Sequence, residues 1–179
     1  RHNRRMQMSL PDFSMRQLLE AGVHFGHQAH RWNPKMAEYI FGARNNIHII
    51  DLSQSMPLLH QALLAIREVA AKGGRVLFVG TKRQASDPVS VAAKRCAQYY
   101  VNHRWRGGTL TNWQEIKKRL ARLQEITDMR EKGELNKFTK MERLLIDREA
   151  ADLERMFGGL KGLQKAPDAL VVVDPKAEA

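Results

Sequence analysis

A single cysteine, Cys96, leaves the chain without any intramolecular disulfide and fits a reducing compartment. No apolar run approaches the roughly 18 residues of a membrane-crossing helix, so a transmembrane helix is excluded. Phosphate-cradling loops of the G-x-x-x-x-G-K-[ST] or G-x-G-x-x-G kind are missing. So is the G-x-S-x-G turn that presents a nucleophilic serine. Cys96 falls in a helical stretch beside Lys94 and Arg95 with no assignable base, so nucleophilic catalysis has no residue set to use. Acid is also scarce: 19 Asp and Glu face 30 Lys and Arg, a net charge of +11.

The charge is unevenly spread. Residues 1–52 carry 7 basic and 4 acidic groups, residues 53–110 carry 9 and 2, and residues 111–179 carry 14 and 13. A basic middle beside an almost balanced final third suggests a phosphate-facing surface joined to a mixed-charge helical region. At 179 residues and 43% hydrophobic content the chain can bury a real core in one domain. Residue 1 is Arg, and Met8 opens a plausible natural start. The basic stretch before it reads equally as tag remnant, extension or presequence remnant.

Three S/T-x-x-Q/E boxes mark helix starts: Ser14 with Gln17, Thr111 with Gln114, and Thr139 with Glu142. The first opens a short helix that Gly22 can end. Ile47 to Asp51 reads as a strand, and Ser55 to Lys72 as a helix with Pro57 in its first turn and Gly73-Gly74 as its stop. Arg75 to Gly80 is a continuous apolar strand, the mark of a sheet buried on both faces. Asp87-Pro88 reads as the start of a helix to about Cys96, followed by short strands at Tyr99–Val101 and Ala169–Val173. This alternation argues for a parallel, doubly wound α/β sheet.

Residues 111–163 break the rhythm. Trp113, Ile116, Leu120 and Leu123 recur at helical spacing, as do Leu153, Met156, Leu160 and Leu163, with charges filling the other faces. The pattern predicts an inserted antiparallel helical hairpin with its tip near Lys132–Asn136. Trp113 fits the apolar strip and is assigned to the core.

Three segments carry possible chemistry. His24, His27 and His30 are weak metal candidates, because at three-residue spacing they would fan round a helix and no fourth ligand is recognisable. Arg31-Trp32 and Lys35 follow them. Gly80-Thr81-Lys82-Arg83 puts two cations at the C-terminal end of a strand, where open α/β sheets bind ligands, and suits an RNA phosphate as well as a mononucleotide. Arg104-Trp105-Arg106 flanks an indole with cations ahead of Gly107-Gly108. Guanidinium groups pair with phosphates and aromatic rings stack on unpaired bases.

Together these segments resemble the family of the bacterial-type ribosomal protein two of the small subunit. The resemblance rests on Val23-His24-Phe25-Gly26-His27-Gln28, Arg31-Trp32-Asn33-Pro34-Lys35-Met36, Tyr39 to Leu52, Val79 to Ala85, Tyr100 to Trp105, Gly107-Gly108, Leu110 to Trp113, Gly158-Gly159 and Pro167-Asp168, in order, across about Leu10 to Ala177. It implies a Rossmann-like doubly wound, mainly parallel α/β domain (residues 10–110 and 164–179) with a coiled-coil hairpin at 111–163, after a basic extension at 1–9. It implies a non-catalytic ribosomal constituent without cofactor. Its partners would be small-subunit rRNA, neighbouring small-subunit proteins and, in bacteria, the large mRNA-capturing ribosomal protein, and its place would be the ribosome of a bacterial cytoplasm or a mitochondrial matrix.

The rRNA-facing residues expected are Arg31, Trp32, Lys35, Arg44, Lys82, Arg83, Arg104, Trp105 and Arg106. Arg106 replaces a usually apolar residue, Asp87 to Val91 departs from the usual helix opening, and the family's C-terminal part is expected to be absent. Two other functions fit the residues: a transient RNA-binding assembly factor, and a nucleotide-dependent enzyme using the α/β crevice.

Overall fold

The computed structural model describes residues 9–178, so the basic stretch at 1–8 lies outside the described residues. The chain forms two compact units, Arg1–Ala71 and Lys72–Ala179.

In the first unit, α1 (Met15–Glu20) starts at Ser14, whose hydroxyl and backbone form the expected reciprocal capping box with Gln17. Strands β1 (Phe25–Gln28), β2 (Ile40–Arg44) and β3 (Ile47–Ile50) make an antiparallel sheet in the order β1-β3-β2. Asn45 and Asn46 turn β2 into β3 with φ of 48° and 62°, and Asn tolerates this left-handed geometry of a two-residue hairpin better than most residues. Gly26 is required by contact: a Cβ there would sit 2.9 Å from the His48 carbonyl oxygen. Helix α2 (Leu52–Ala71) follows.

The second unit holds a parallel sheet, β5-β4-β6, built from β4 (Val76–Val79), β5 (Tyr99–Val101) and β6 (Ala169–Val172). Helix α3 (Arg83–Arg95) joins β4 to β5. Helices α4 (Trp113–Glu131) and α5 (Lys140–Phe157) form the hairpin, turning at Gly133 with φ of 69°. Leu77, Val79 and Val101 share one core with Ile116, Leu123 and Ile126 of α4, Ala150, Leu153 and Phe157 of α5, and Leu160 and Leu163 beyond. Trp113 packs against that core, as its spacing predicts. Arg122 grips Glu149 with two N–H groups at 3.0 Å, and Arg130 reaches Asp147, so both arms are cross-tied.

The structure corrects several expectations. The strand at Ile47 joins an antiparallel sheet and not the parallel one, because tight hairpin geometry pairs it with β2. Helix α2 starts at Leu52, since the Asp51 carboxylate accepts from the Ser53 amide and hydroxyl at 3.0 and 2.6 Å; Pro57 therefore lies inside the helix. Helix α3 starts at Arg83, with Asp87-Pro88 inside it and not at its opening. The Thr111 box does not form. Asn112 occupies the cap position of α4 without a side-chain hydrogen bond, its amide turned back to the Gly108 carbonyl at 2.7 Å. The box at Thr139 does form.

Gly159 explains its place in the Gly158-Gly159 motif. A Cβ there would collide with the Tyr100 carbonyl oxygen of β5. Gly159→Ala is expected to lower stability by about 1–3 kcal/mol or more, as overpacking against backbone does, read as the shift in a urea midpoint. The hydrogen bonds from Arg122 hold the Glu149 carboxyl below its ordinary value. Because the folded value is the lower one, this stabilisation is present above pH 4.5 and is lost as pH falls through the depressed value. The melting-temperature gap between the native chain and Glu149→Gln should therefore narrow on acidification below that point; a gap that widens would contradict it.

Candidate nucleic-acid interface

The first group of cations is assembled by the antiparallel sheet. Gln28, Ile47 and Arg44 lie in register across β1, β3 and β2. The Ala29 amide donates to the Asn46 carbonyl at 2.7 Å, tying the segment after β1 to the hairpin turn. Arg31, which ends a 3-10 turn over Ala29–Arg31, is thereby brought to the same end of the sheet as Arg44. Trp32 stacks on His48 with ring centroids 5.1 Å apart and 19° between planes, and 39% of it is exposed. The Asn33 side chain accepts from the Lys35 amide at 3.0 Å, fixing the start of the next 3-10 turn, Pro34–Tyr39. Arg31, Lys35 and Arg44 are exposed and make no ion pair among the described residues.

The second group lies at the C-terminal end of the parallel sheet. The Gly80 amide bonds to the Val101 carbonyl at 3.0 Å, and Ser86 with Asn102 exchange hydrogen bonds of 2.8 and 3.3 Å. These bonds fix the start of α3, with Lys82 and Arg83, beside the end of β5, which leads to Arg104. The nine expected residues thus fall into two sets, one in each unit.

Two features of this end escape sequence reasoning. Lys82 is not free: its ammonium pairs with Asp174 at 3.1 Å. The Thr81 amide and hydroxyl both donate to the Glu178 carboxylate, at 2.9 and 2.6 Å. The chain's own acids therefore occupy the donors at the start of α3. Their sequence signal is position alone, since Asp174 and Glu178 follow a parallel strand and must emerge at that end.

Trp105, expected to face RNA, packs against the hydrophobic core and anchors the loop that carries its two arginines. Arg106 stays exposed, its Nη2 2.7 Å from the Met156 sulfur, while its carbonyl accepts from the Thr109 amide and hydroxyl. An arginine at this position thus leaves the core intact.

The histidines do not converge. Among the described residues no three His, Cys, Asp or Glu side chains are placed to hold a metal ion. His24 lies against Phe25 at 4.1 Å between centroids, and the Nδ1 atoms of His24 and His48 are buried without a partner. His48, unremarked in the sequence, serves as the platform for Trp32.

Comparison with known proteins gives a consistent result. The family model described as ribosomal protein S2 matches residues 18–179. Small ribosomal subunit protein uS2 of Caulobacter vibrioides (strain NA1000 / CB15N) is 65% identical over 172 residues, covering 96% of this chain and 64% of its own length. The uS2 proteins of Bradyrhizobium sp. (strain ORS 278) and Rhodopseudomonas palustris (strain BisA53) are 62% and 63% identical, each over 96% of this chain and 52% of their own length. The chain therefore spans between half and two thirds of the curated relatives it matches.

Proposed function

The chain belongs to the ribosomal protein S2 family, and from that premise we propose that it is a non-catalytic constituent of the small ribosomal subunit that binds small-subunit rRNA. The observation that carries the RNA reading is the exposed set Arg31, Lys35 and Arg44 around a stacked Trp32, without acidic partners among the described residues. Unpaired cations attract phosphate, release counterions and fix register, while an indole held flat by His48 offers a face to an unpaired base. Arg83, Arg104 and Arg106 supply a second phosphate-facing set at the end of the parallel sheet, joined by Lys82 where RNA displaces Asp174. Trp105 supports that set from beneath.

The fold reading that accompanies this function is a Rossmann-like, doubly wound domain over residues 10–110 and 164–179, with 111–163 inserted as a coiled-coil hairpin. Parallel neighbours on both sides of β4 support the parallel sheet of this reading, while β1, β2 and β3 contribute a separate antiparallel sheet. Ile116, Leu120 and Leu123, at four- and three-residue spacing and packed into one core, support the hairpin. Partners are rRNA, neighbouring small-subunit proteins and, in a bacterium, the large mRNA-capturing ribosomal protein. The place of action is the ribosome, in a bacterial cytoplasm or a mitochondrial matrix.

Two measurements test this. Arg31→Ala, Lys35→Ala and Arg44→Ala should each weaken rRNA-fragment binding and flatten the log–log salt dependence by about 0.9 per lost phosphate contact on the B-DNA scale; unchanged slopes would remove these residues from the interface. Tagged chain sedimented from its own cell lysate at moderately high salt should migrate with mature small subunits. A peak confined to pre-subunit fractions would point instead to a transient assembly factor, and free protein at the top would refute both.

A further inference from the structure

Beyond β6 the chain folds back as a strap over the start of α3. Val173 still follows the strand, its amide donating to the Val79 carbonyl at 2.8 Å. Asp174 then takes a left-handed conformation, with φ of 60°, and a 3-10 turn over Pro175–Ala177 follows. The Ala177 amide closes that turn on the Asp174 carbonyl at 3.0 Å. Both carboxylates of the strap thereby reach donors. Asp174 pairs with the Lys82 ammonium at 3.1 Å, and Glu178 accepts from the Thr81 amide and hydroxyl at 2.9 and 2.6 Å.

A helix start is ordinarily capped by its own neighbours. Lys82 holds the cap position of α3 and makes no side-chain cap bond. The negative charge comes instead from residues 92 and 97 positions further along the chain. An ammonium, an amide and a hydroxyl are also the donors that a nucleic-acid phosphate takes. The hold on Lys82 is loose: its side chain is 52% exposed and that of Asp174 35%, and such a pair contributes little against solvent. Other charges nearby do not alter this pairing. Arg83 and Lys176 are exposed and make no ion pair among the described residues, and Asp87, one turn along α3, pairs with neither Lys82 nor Arg83.

Resting on the rRNA reading of this end, we propose that residues 174–178 are an intramolecular competitor of RNA. Asp174 and Glu178 occupy Lys82 and Thr81 in the free chain, and a phosphodiester displaces them. Thr81 thus joins Lys82 and Arg83 in the RNA-binding set, through its amide and hydroxyl. The consequence is selection by charge number. A lone anion gains little by exchanging places with a carboxylate, whereas an RNA that also engages Arg83 and Arg104 adds contacts as it does so.

The test measures binding of a fluorescein-labelled 20-mer of uridine to the full chain over a series of salt concentrations. Asp174→Asn removes the charge and keeps the turn, since Asn tolerates the left-handed region as Asp does. Glu178→Gln keeps the side chain's length. Each should tighten binding by about two- to fivefold, the range an exposed ion pair is worth. Asp174→Asn should also steepen the log–log salt slope by up to about 0.9 on the B-DNA scale. Lys82→Ala should cost more affinity in the Asp174→Asn background than in the native one, because only there does the lysine start free. A strap that merely closes the sheet would instead give variants with lowered melting temperature but native RNA affinity and slope, which overturns the proposal. An equal cost of Lys82→Ala in both backgrounds overturns it too. If no form of the chain binds the RNA, the rRNA reading itself fails and the proposal falls with it.

Discussion

The approach of the Gly158-Gly159-Leu160 turn to strand β5 is the constraint on which the Lys72–Ala179 unit depends. Gly159 lies so near the Tyr100 carbonyl that no side chain fits between them. That closeness carries the next residue, Leu160, into a fully buried position alongside Leu77. From there one apolar cluster runs from the parallel sheet through Val101 to Phe157, Leu153 and Ile126 in the hairpin. The hairpin is thus no independent appendage: its root and the face of the sheet are the same core. Widening the gap at Gly159 would separate backbone from backbone, which no change of rotamer can absorb.

Charge is organised by the same architecture. In the hairpin, cations and carboxylates are used up against each other, with Arg122 on Glu149 and Glu125, Arg130 on Asp147, and Arg119 and Lys118 on Glu115. At the sheet ends the cations are left over. Among the described residues Arg31, Lys35 and Arg44 stand without acidic partners, whereas Lys82 is held by Asp174. Exposed ion pairs contribute little to stability. Their larger effect here is to determine where unneutralised positive charge remains, and hence where a polyanion can gain from contact. The outer face of α5 stands apart within the hairpin in leaving Met141, Leu144 and Leu145 exposed.

Most elements were legible from the sequence. Two of the three capping boxes, at Ser14 and Thr139, form as their spacing implies, because they depend only on residues three apart. Helix starts at Leu52 and Arg83 were missed. In the first, Asp51 outcompeted the Ser55–Pro57 signal; in the second, Asp87-Pro88 resembles a cap and first turn but lies within a helix already under way. The division of strands between two sheets was also missed, since apolar alternation does not say which strand becomes a neighbour. For the candidate site, residue types were readable but not their freedom. Trp105 and Trp32 look alike in sequence, yet one packs against the core and the other stacks on a histidine sixteen positions away.

By itself, then, the sequence determined the class of chemistry: no disulfide, no phosphate loop, no nucleophile set, and a basic surface with arginines and indoles. It also determined the helical period of residues 111–163 and the turns that need left-handed backbone. These are local properties, set by composition and by neighbours within a few positions. Only the tertiary structure decided which cations remain free, because the acids that quench Lys82 and Thr81 lie more than ninety residues away. It likewise decided that α5 keeps a second apolar face uncovered. Periodicity shows that a face exists, but only packing shows whether anything occupies it.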